Sequence, residues 1–491
     1  MVQAAVLDGL VFDASPFSQD GFTAPRVNIS WGEVSDALVV AMVVVVVDEG
    51  RDGGFKLPFE EVVFQQDAVF DGLMPSLDFA LCLWMLSLHE NRLNTQLILA
   101  ILPTNKKRLG ECQLPPEGPM PLDPSDITAA TASLHRARSM PAGFYTDPAI
   151  FAAERQHLFV KHWFFLCRAE TLPNPGDYRA FDSPGGPIVL VRGTDGVLRC
   201  FANYCRHRGS ILLEGTGNVG GRIICPYHAW SYLNDGRLYG CPDMKDVEGF
   251  DKVENGLVTL DIDQWAGFVF ARFTKEGPSL AEHLGDLPDR MASHRPAEMR
   301  HTWTCTLDVE CNWKLILENA METYHTGIVH RDTVGAQTSR TLPTRGNWIC
   351  IQVVSGRSIA TLSDTVPPFD KIDGLDDDAR MGTYFTVALP TMQFAVAQDC
   401  LWWLNCIPIA ENRTRLEVGG CFPAARLDQP DFAVRAEPYY DRWERVAKED
   451  VGILEKQQRA LGSALYRPGP LSWRDDMVQA LGVWVVDRLG L

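Results

Sequence analysis

Cys205-Arg206-His207, then seventeen residues, then Cys225-Pro226-Tyr227-His228: this stretch decides how the chain is read. Two thiolates and two imidazoles in a C-x-H…C-x-x-H pattern can hold a [2Fe–2S] cluster in which the sulfurs bind one iron and the nitrogens the other. Each short motif suits the tip of a hairpin loop, so that each tip supplies one sulfur and one nitrogen. Arg208-Gly209 after the first pair and Ala229-Trp230-Ser231-Tyr232 after the second offer N–H and hydroxyl donors to the surroundings of such a cluster. A structural zinc site is the competing reading of the same four ligands. C-x-H is an unusual spacing for a zinc finger, which favours iron and sulfur.

The rest of the composition bounds the function classes. A chain of 491 residues has room for two or three domains with full cores. Hydrophobic residues at 46% and charged residues at 22% are the balance of a soluble globular protein. A net charge of −18 with no Lys/Arg stripe argues against nucleic acid as a partner. Thirteen cysteines without a spacing framework, and no secretory signal, point to a reducing cytoplasm. The apolar runs Ala37 to Val47 and Phe79 to Leu88 are too short to span a bilayer, so no membrane partner is expected.

Residues 1–125 carry no motif and are read as an extension of unknown fold. Leu38 to Val47 has the β-branched content of a buried strand, Phe79 to Leu88 suits a strand or a helix, and Thr95 to Leu102 another strand. Pro115, Pro116, Pro119, Pro121 and Pro124 then read as a linker. Asp147-Pro148 opens a helix, with Asp as N-cap, that runs towards Trp163. His157 and His162 are expected to pack or face solvent. Short strands at 176–180, 186–192, 197–203, 258–262 and 267–272, with a hairpin turn at Asn234-Asp235-Gly236, make residues 135–272 a small antiparallel β domain. Residues 275–491 mix strands (302–307, 348–354, 383–388, 392–396, 401–409, 414–422) with helices at 316–325, 431–461 and 473–489. The fold class is therefore α+β, the larger domain resembling a helix grip in which a sheet wraps a helix and leaves a cavity.

Within the larger domain lies Asn312-Trp-Lys-Leu-Ile-Leu-Glu-Asn-Ala-Met-Glu-Thr-Tyr-His-Thr-Gly-Ile-Val-His330. On a continuous helix Glu322 and His325 share a face, and Gly327 can end the helix and swing His330 back. Two imidazoles with one carboxylate make the facial triad of non-haem Fe(II) oxygenases, which keeps positions open for O2. Asp450 is the expected third ligand and Glu449 its nearest rival, both on the long C-terminal helix.

Both motifs together, in this order and separation, resemble the α subunit of Rieske non-haem iron oxygenases, the ring-hydroxylating family. The resemblance covers roughly 135–491, with Asn312-Trp313-Lys314, Glu318-Asn319, Glu455 to Leu461 and Tyr466 to Ser472 as further points of likeness. It implies an oxygenase component with a [2Fe–2S] cluster, Fe(II), and NAD(P)H acting indirectly through a reductase, either a flavin/iron–sulfur reductase or a ferredoxin. It implies a homotrimer or a multiple of one, in which an acidic residue links a cluster histidine of one subunit to an iron histidine of the next. Most members have Asp three residues before the first iron histidine; this chain has Glu322, a departure that looks like the carnitine-type, quaternary-ammonium monooxygenases. Glu318 is the fallback for that role, and Asn319 joins Glu322 as a catalytic candidate. O2 activated at Fe(II) would hydroxylate or demethylate a small organic substrate. The substrate-binding residues are not fixed: Tyr384, Phe385, Phe394, Trp402 and Trp403 are candidates for an aromatic cage, and Arg340 and Arg345 for holding an aromatic acid. A non-catalytic Rieske electron carrier or a zinc-binding module is the alternative function, although a carrier has no need of so large a cavity-forming domain.

Overall fold

The computed structural model describes residues 122–491. The strands expected within the first 121 residues, and most of the proline-rich linker, lie outside the described residues. Pro124 opens a helix instead of continuing a linker. It stands at the start of Pro124–Ala130, where the Asp123 carboxylate accepts from the Ser125 N–H at 2.8 Å. Asp147 caps the helix Pro148–Glu154 in the expected way, accepting from the Ala149 N–H at 2.7 Å. That helix widens into a π turn over Arg155–Phe159 and does not reach Trp163. Of the two histidines here, His157 is exposed and His162 packs beside His283 and Trp484.

The first module is antiparallel throughout. Its strands are β1 (Phe164–Arg168), β2 (Asp177–Ser183), β3 (Gly186–Arg192), β4 (Leu198–Ala202), β5 (Thr216–Asn218), β6 (Arg222–Ile224), β7 (Ser231–Leu233), β8 (Leu238–Gly240), β9 (Thr259–Trp265) and β10 (Phe268–Arg272). Seven of them order as β1-β10-β9-β4-β3-β2-β5, and β6-β7-β8 form a separate three-stranded sheet. The apolar run of β3 reflects burial on both faces. Ile188 and Leu190 enter one core with Cys200 and Val269, while Val189 and Val191 enter another with Cys205, Cys225, Trp230 and Tyr232. The second of these cores seats the two motif loops. Strand β1 is buried at every position, so it has no alternation to betray it, and the sequence reading ran a helix towards it.

The second module is one seven-stranded antiparallel sheet, β11-β17-β16-β15-β14-β13-β12. Its strands are β11 (Met299–Val309), β12 (Ser339–Thr341), β13 (Trp348–Val354), β14 (Gly382–Ala388), β15 (Met392–Val396), β16 (Leu401–Ala410) and β17 (Arg413–Pro423). The sheet curves round the thirty-residue helix Phe432–Leu461, here called the cavity helix, whose buried positions include Tyr439, Trp443, Ala447 and Leu454. Gly420 on β17 permits this approach, and its neighbour Gly419 makes room on the other face. A Cβ on Gly420 would stand 1.9 Å from the Trp443 ring, and one on Gly419 would stand 2.1 Å from the Trp403 ring on the opposite face. The pleat sorts the aromatic residues: Phe385 and Trp402 face the cavity helix, whereas Tyr384, Phe394 and Trp403 belong to the core behind the sheet.

Candidate metal centres and the cavity beside them

The two motif loops are built alike despite their different spacings. The Cys205 N–H donates to Ser210 O (2.8 Å) and the Gly209 N–H to Cys205 O (2.9 Å); the Cys225 N–H donates to Trp230 O (2.7 Å) and the Ala229 N–H to Cys225 O (3.1 Å). Each loop therefore closes the same turn, and each needs a left-handed residue at the same place, Gly209 at φ +74° and Ala229 at φ +58°. Cys205 and Cys225 are buried at 2% exposure, while His207 is exposed and His228 partly so. The sulfurs lie inside and the imidazoles at the surface, the two rings 4.8 Å apart centre to centre. His207 stacks on Trp230 with the planes 6° apart, so the indole supports that ring. The Tyr232 hydroxyl sits 3.3 Å from Cys205 Sγ and accepts from the Arg206 N–H, which leaves its own O–H for the sulfur. Burial raises the Cys205 thiol above its ordinary value, against the pull of that hydroxyl.

A single tetrahedral zinc with bonds of roughly 2.0–2.3 Å would gather all four donor atoms round one point. They are not gathered. Among the described residues, one set of His, Cys, Asp or Glu donors lies mutually within 4.8 Å, and it is His325, His330 and Asp450. A pair of sulfurs and a separate pair of nitrogens suit a two-iron cluster.

His325, His330 and Asp450 stand at the base of a cavity between the sheet and the cavity helix. The helix leading to them is shorter than its sequence pattern. It runs Trp313–Ala320 with Asn312 as N-cap, breaks at Met321, and resumes only as Thr326–Val329. Glu322 causes the break: one carboxylate oxygen accepts from the backbone N–H groups of Tyr324 and His325, which a continuous helix would send to carbonyls four residues back. The other oxygen pairs with His325 Nδ1. Glu322 thus meets His325 through a turn and not through a shared helix face, and Gly327 lies inside the short second helix and does not end the first. His330 Nδ1 is 2.8 Å from Glu449 Oε2, which also accepts from Thr333 Oγ1 at 2.7 Å. His330 Nε2 and His325 Nε2 both face Asp450 Oδ1, at 3.1 and 3.8 Å.

Asp450 Oδ1 is enclosed and, 3.1 Å from His330 Nε2, makes no well-aligned hydrogen bond. Three donor atoms aimed at a common point, each ring's other nitrogen held by a carboxylate, fit a mononuclear metal ion. Burial alone would lower His330, but the Asp450 and Glu449 carboxylates outweigh it and hold the imidazole above its ordinary value. The site attracts positive charge.

Above this base lies a cavity of about 80 Å³, lined by Asn319, Phe385, Gln393, Trp402 and a run of Val, Ile and Leu side chains. Glu318 is not part of it: its carboxylate accepts from the Tyr145 hydroxyl at 2.7 Å, and burial pushes it up to about 7. Tyr384, Phe394 and Trp403 face away, as the pleat requires. Arg340 pairs with Gln352 and Asp378, and Arg345 lies on the surface beside Asp286, so neither reaches the cavity. The cation in the cavity is one that the sequence reading missed, Arg442, which shares a stripe at i, i+4 and i+8 with Val446 and Asp450. Burial pulls it down to about 10.

Residues 162–251 match the Rieske [2Fe-2S] domain and residues 296–491 the ring hydroxylating alpha subunit catalytic domain. The glycine betaine monooxygenase oxygenase subunit of Chromohalobacter salexigens is 26% identical over 70% of this chain and 84% of its own. The carnitine monooxygenase oxygenase subunit of Escherichia coli is 36% identical over 44% of this chain and 59% of its own. The crystal structure of a quaternary ammonium Rieske monooxygenase with L-carnitine superposes with a TM-score of 0.61 at 26% identity, covering 73% of this chain and 97% of that one. Naphthalene 1,2-dioxygenase shares the fold, with a TM-score of 0.60 at 19% identity. Oxygenase subunits of this type carry a [2Fe–2S] cluster and a mononuclear iron and work with a reductase on small substrates. The chain belongs to the Rieske non-haem iron oxygenases, as an α subunit with both of its domains.

Proposed function

We propose that this α subunit inserts oxygen into a small quaternary ammonium compound. Cys205, His207, Cys225 and His228 hold the cluster, and His325, His330 and Asp450 hold Fe(II). The observation that carries the iron assignment is the convergence of His325, His330 and Asp450, with its unpartnered oxygen, at the base of the cavity. The quaternary ammonium class is supported by the betaine and carnitine relatives and by Glu322 in place of Asp. When bound, the cluster supplies one-electron transfer and Fe(II) supplies open positions for O2.

The chain's own residues do the rest. Glu449 fixes a proton on His330 Nδ1 and Glu322 fixes one on His325 Nδ1, so that both Nε2 lone pairs point to the metal position. The apolar walls exclude water from the reacting end. Electrons come from NAD(P)H through a reductase, either a flavin/iron–sulfur protein or a ferredoxin, which meets the exposed His207 and His228. Close to Glu322 in the chain, Tyr324 is 60% and Ile328 82% exposed, and Arg474 lies over the rings of Tyr324 and the exposed Trp473. The cluster loops likewise expose Tyr227 and Ile224. Patches of this kind suit contact between copies, so a homotrimer is inferred in which Glu322 links its own His325 to the neighbouring cluster. The cytoplasm is the inferred location: the eleven described cysteines form no disulfide, and no described helix is long and apolar enough to cross a membrane.

The test is product analysis under 18O2, with the iron-loaded protein, a surrogate reductase, and a panel of betaines and aromatic acids. Formaldehyde or another aldehyde, with label incorporated, from a betaine supports the proposal. A labelled diol or phenol from the aromatic members alone would overturn the substrate class.

A further inference from the structure

Arg442 is the exception among the residues that line the cavity. Its side chain is 5% exposed, and among the described residues its guanidinium enters no ion pair and no hydrogen bond, with Nε fully enclosed and unpartnered. The guanidinium carbon lies 4.8 Å from the centre of the Trp402 ring, which fixes the plane of the fork from one side. Phe385, Leu404 and Val418 close the cavity with apolar surface, and Gln393 adds an amide whose Oε1 has no partner. The carboxylates nearest in charge are Asp450 and Glu449. Both are committed to the histidines, and Asp450 is two helical turns further on, about 12 Å along the helix axis. A buried cation left without a counter-ion is costly. A planar fork with free N–H groups matches a carboxylate in bidentate geometry.

We propose that Arg442 anchors a carboxylate of the substrate at the end of the cavity away from His325, His330 and Asp450, so that the group to be oxidised is presented to the metal position. The inference rests on the reading of that cavity as the oxygenation site, and it narrows the substrate to one that carries an acid at one end. A betaine satisfies it, and an alcohol of the choline kind does not.

The test uses the cluster-bearing, iron-loaded protein and two pairs of probes, glycine betaine against choline and benzoate against benzamide. Calorimetry gives the affinities and 18O2 labelling the products. In at least one pair the acid should bind roughly 30-fold or more tightly than its carboxyl-free partner. Arg442→Gln should abolish that preference with the visible cluster spectrum unchanged and the thermal midpoint no lower, since the variant removes a buried unpaired charge. Arg442→Lys, which keeps the charge and loses the fork, should fall between. An acid bound no better than its partner in either pair overturns the anchor, as does a preference that survives in Arg442→Gln. Labelled product without any acid preference would sink the anchor alone and leave the oxygenase reading standing. An acid preference lost in Arg442→Gln, with no label in any product, would support the anchor and count against that reading.

Discussion

Glu449 and Asp450 are adjacent in sequence yet stand differently about the two histidines, and on the proposed reading replacing each by Ala separates a ligand from an orienting group. Asp450 Oδ1 faces both Nε2 atoms, at 3.1 and 3.8 Å, and would supply one of the three donors of the proposed iron site. Glu449 touches His330 from behind, at 2.8 Å from Nδ1, and only orients it. Groups that hold a ligand in place typically contribute 10- to 100-fold in metal affinity. The Glu449 side chain is 27% exposed, so water can replace part of its hydrogen bond. Glu449→Ala should therefore fall at the low end, about tenfold or about 1.4 kcal/mol. Asp450→Ala removes a donor outright and should leave no measurable Fe(II) binding in the micromolar range. The assay is anaerobic Fe(II) titration of protein that keeps its red-brown cluster and has lost its mononuclear iron. Iron lost completely in Glu449→Ala and retained in Asp450→Ala would make Glu449 the ligand and Asp450 the orienting group.

Ala229→Gly should raise the temperature at which cluster absorbance is lost, because a non-glycine residue at φ +58° carries a left-handed penalty of roughly 1–2 kcal/mol, partly offset by glycine's extra freedom in the unfolded chain; a lower bleaching midpoint would count against it. Gly420→Ala should destabilise by at least about 1–3 kcal/mol through overpacking, since the added Cβ would meet Trp443 at 1.9 Å, and urea unfolding checks it. Glu318 gives the protein a pH dependence. Burial raises it from 4.5 to about 7, so between these values the unfolded chain releases a proton that the folded chain keeps, and stability falls as pH rises across that window. Glu318→Gln should flatten the fall and stabilise the protein at pH 8 by about 2–3 kcal/mol, whereas an unchanged unfolding profile from pH 4 to 8 would show that the carboxylate is not held protonated.

What was legible in the sequence was local. Each cluster loop carries its sulfur and nitrogen within four residues, so no tertiary knowledge was needed to pair Cys205 with His207 or Cys225 with His228. The strands of the larger domain read well, Trp348–Val354 and Met392–Val396 to the residue, because turn residues bound them. The break after Ala320 did not read, since Met321, Tyr324 and His325 keep a helical period while the Glu322 carboxylate takes the N–H groups the helix needs. Which of Tyr384 and Phe385, or Trp402 and Trp403, enters the cavity depended on which face of the sheet meets the cavity helix, and alternation alone leaves that sign open. Arg442 was within reach through its spacing from Asp450. Its meaning was not, because an unpaired buried charge is visible only when its neighbours are.

A count of iron and acid-labile sulfide per chain, in the wild-type protein and in His325→Ala, tests the two metal centres together. A [2Fe–2S] cluster on the loops and one metal at His325, His330 and Asp450 predict three irons and two sulfides. The variant should keep two of each, with its colour unchanged and its turnover gone. A colourless protein holding zinc without sulfide would contradict the cluster, and a His325→Ala variant that keeps all its iron and still oxygenates substrate would contradict the iron site.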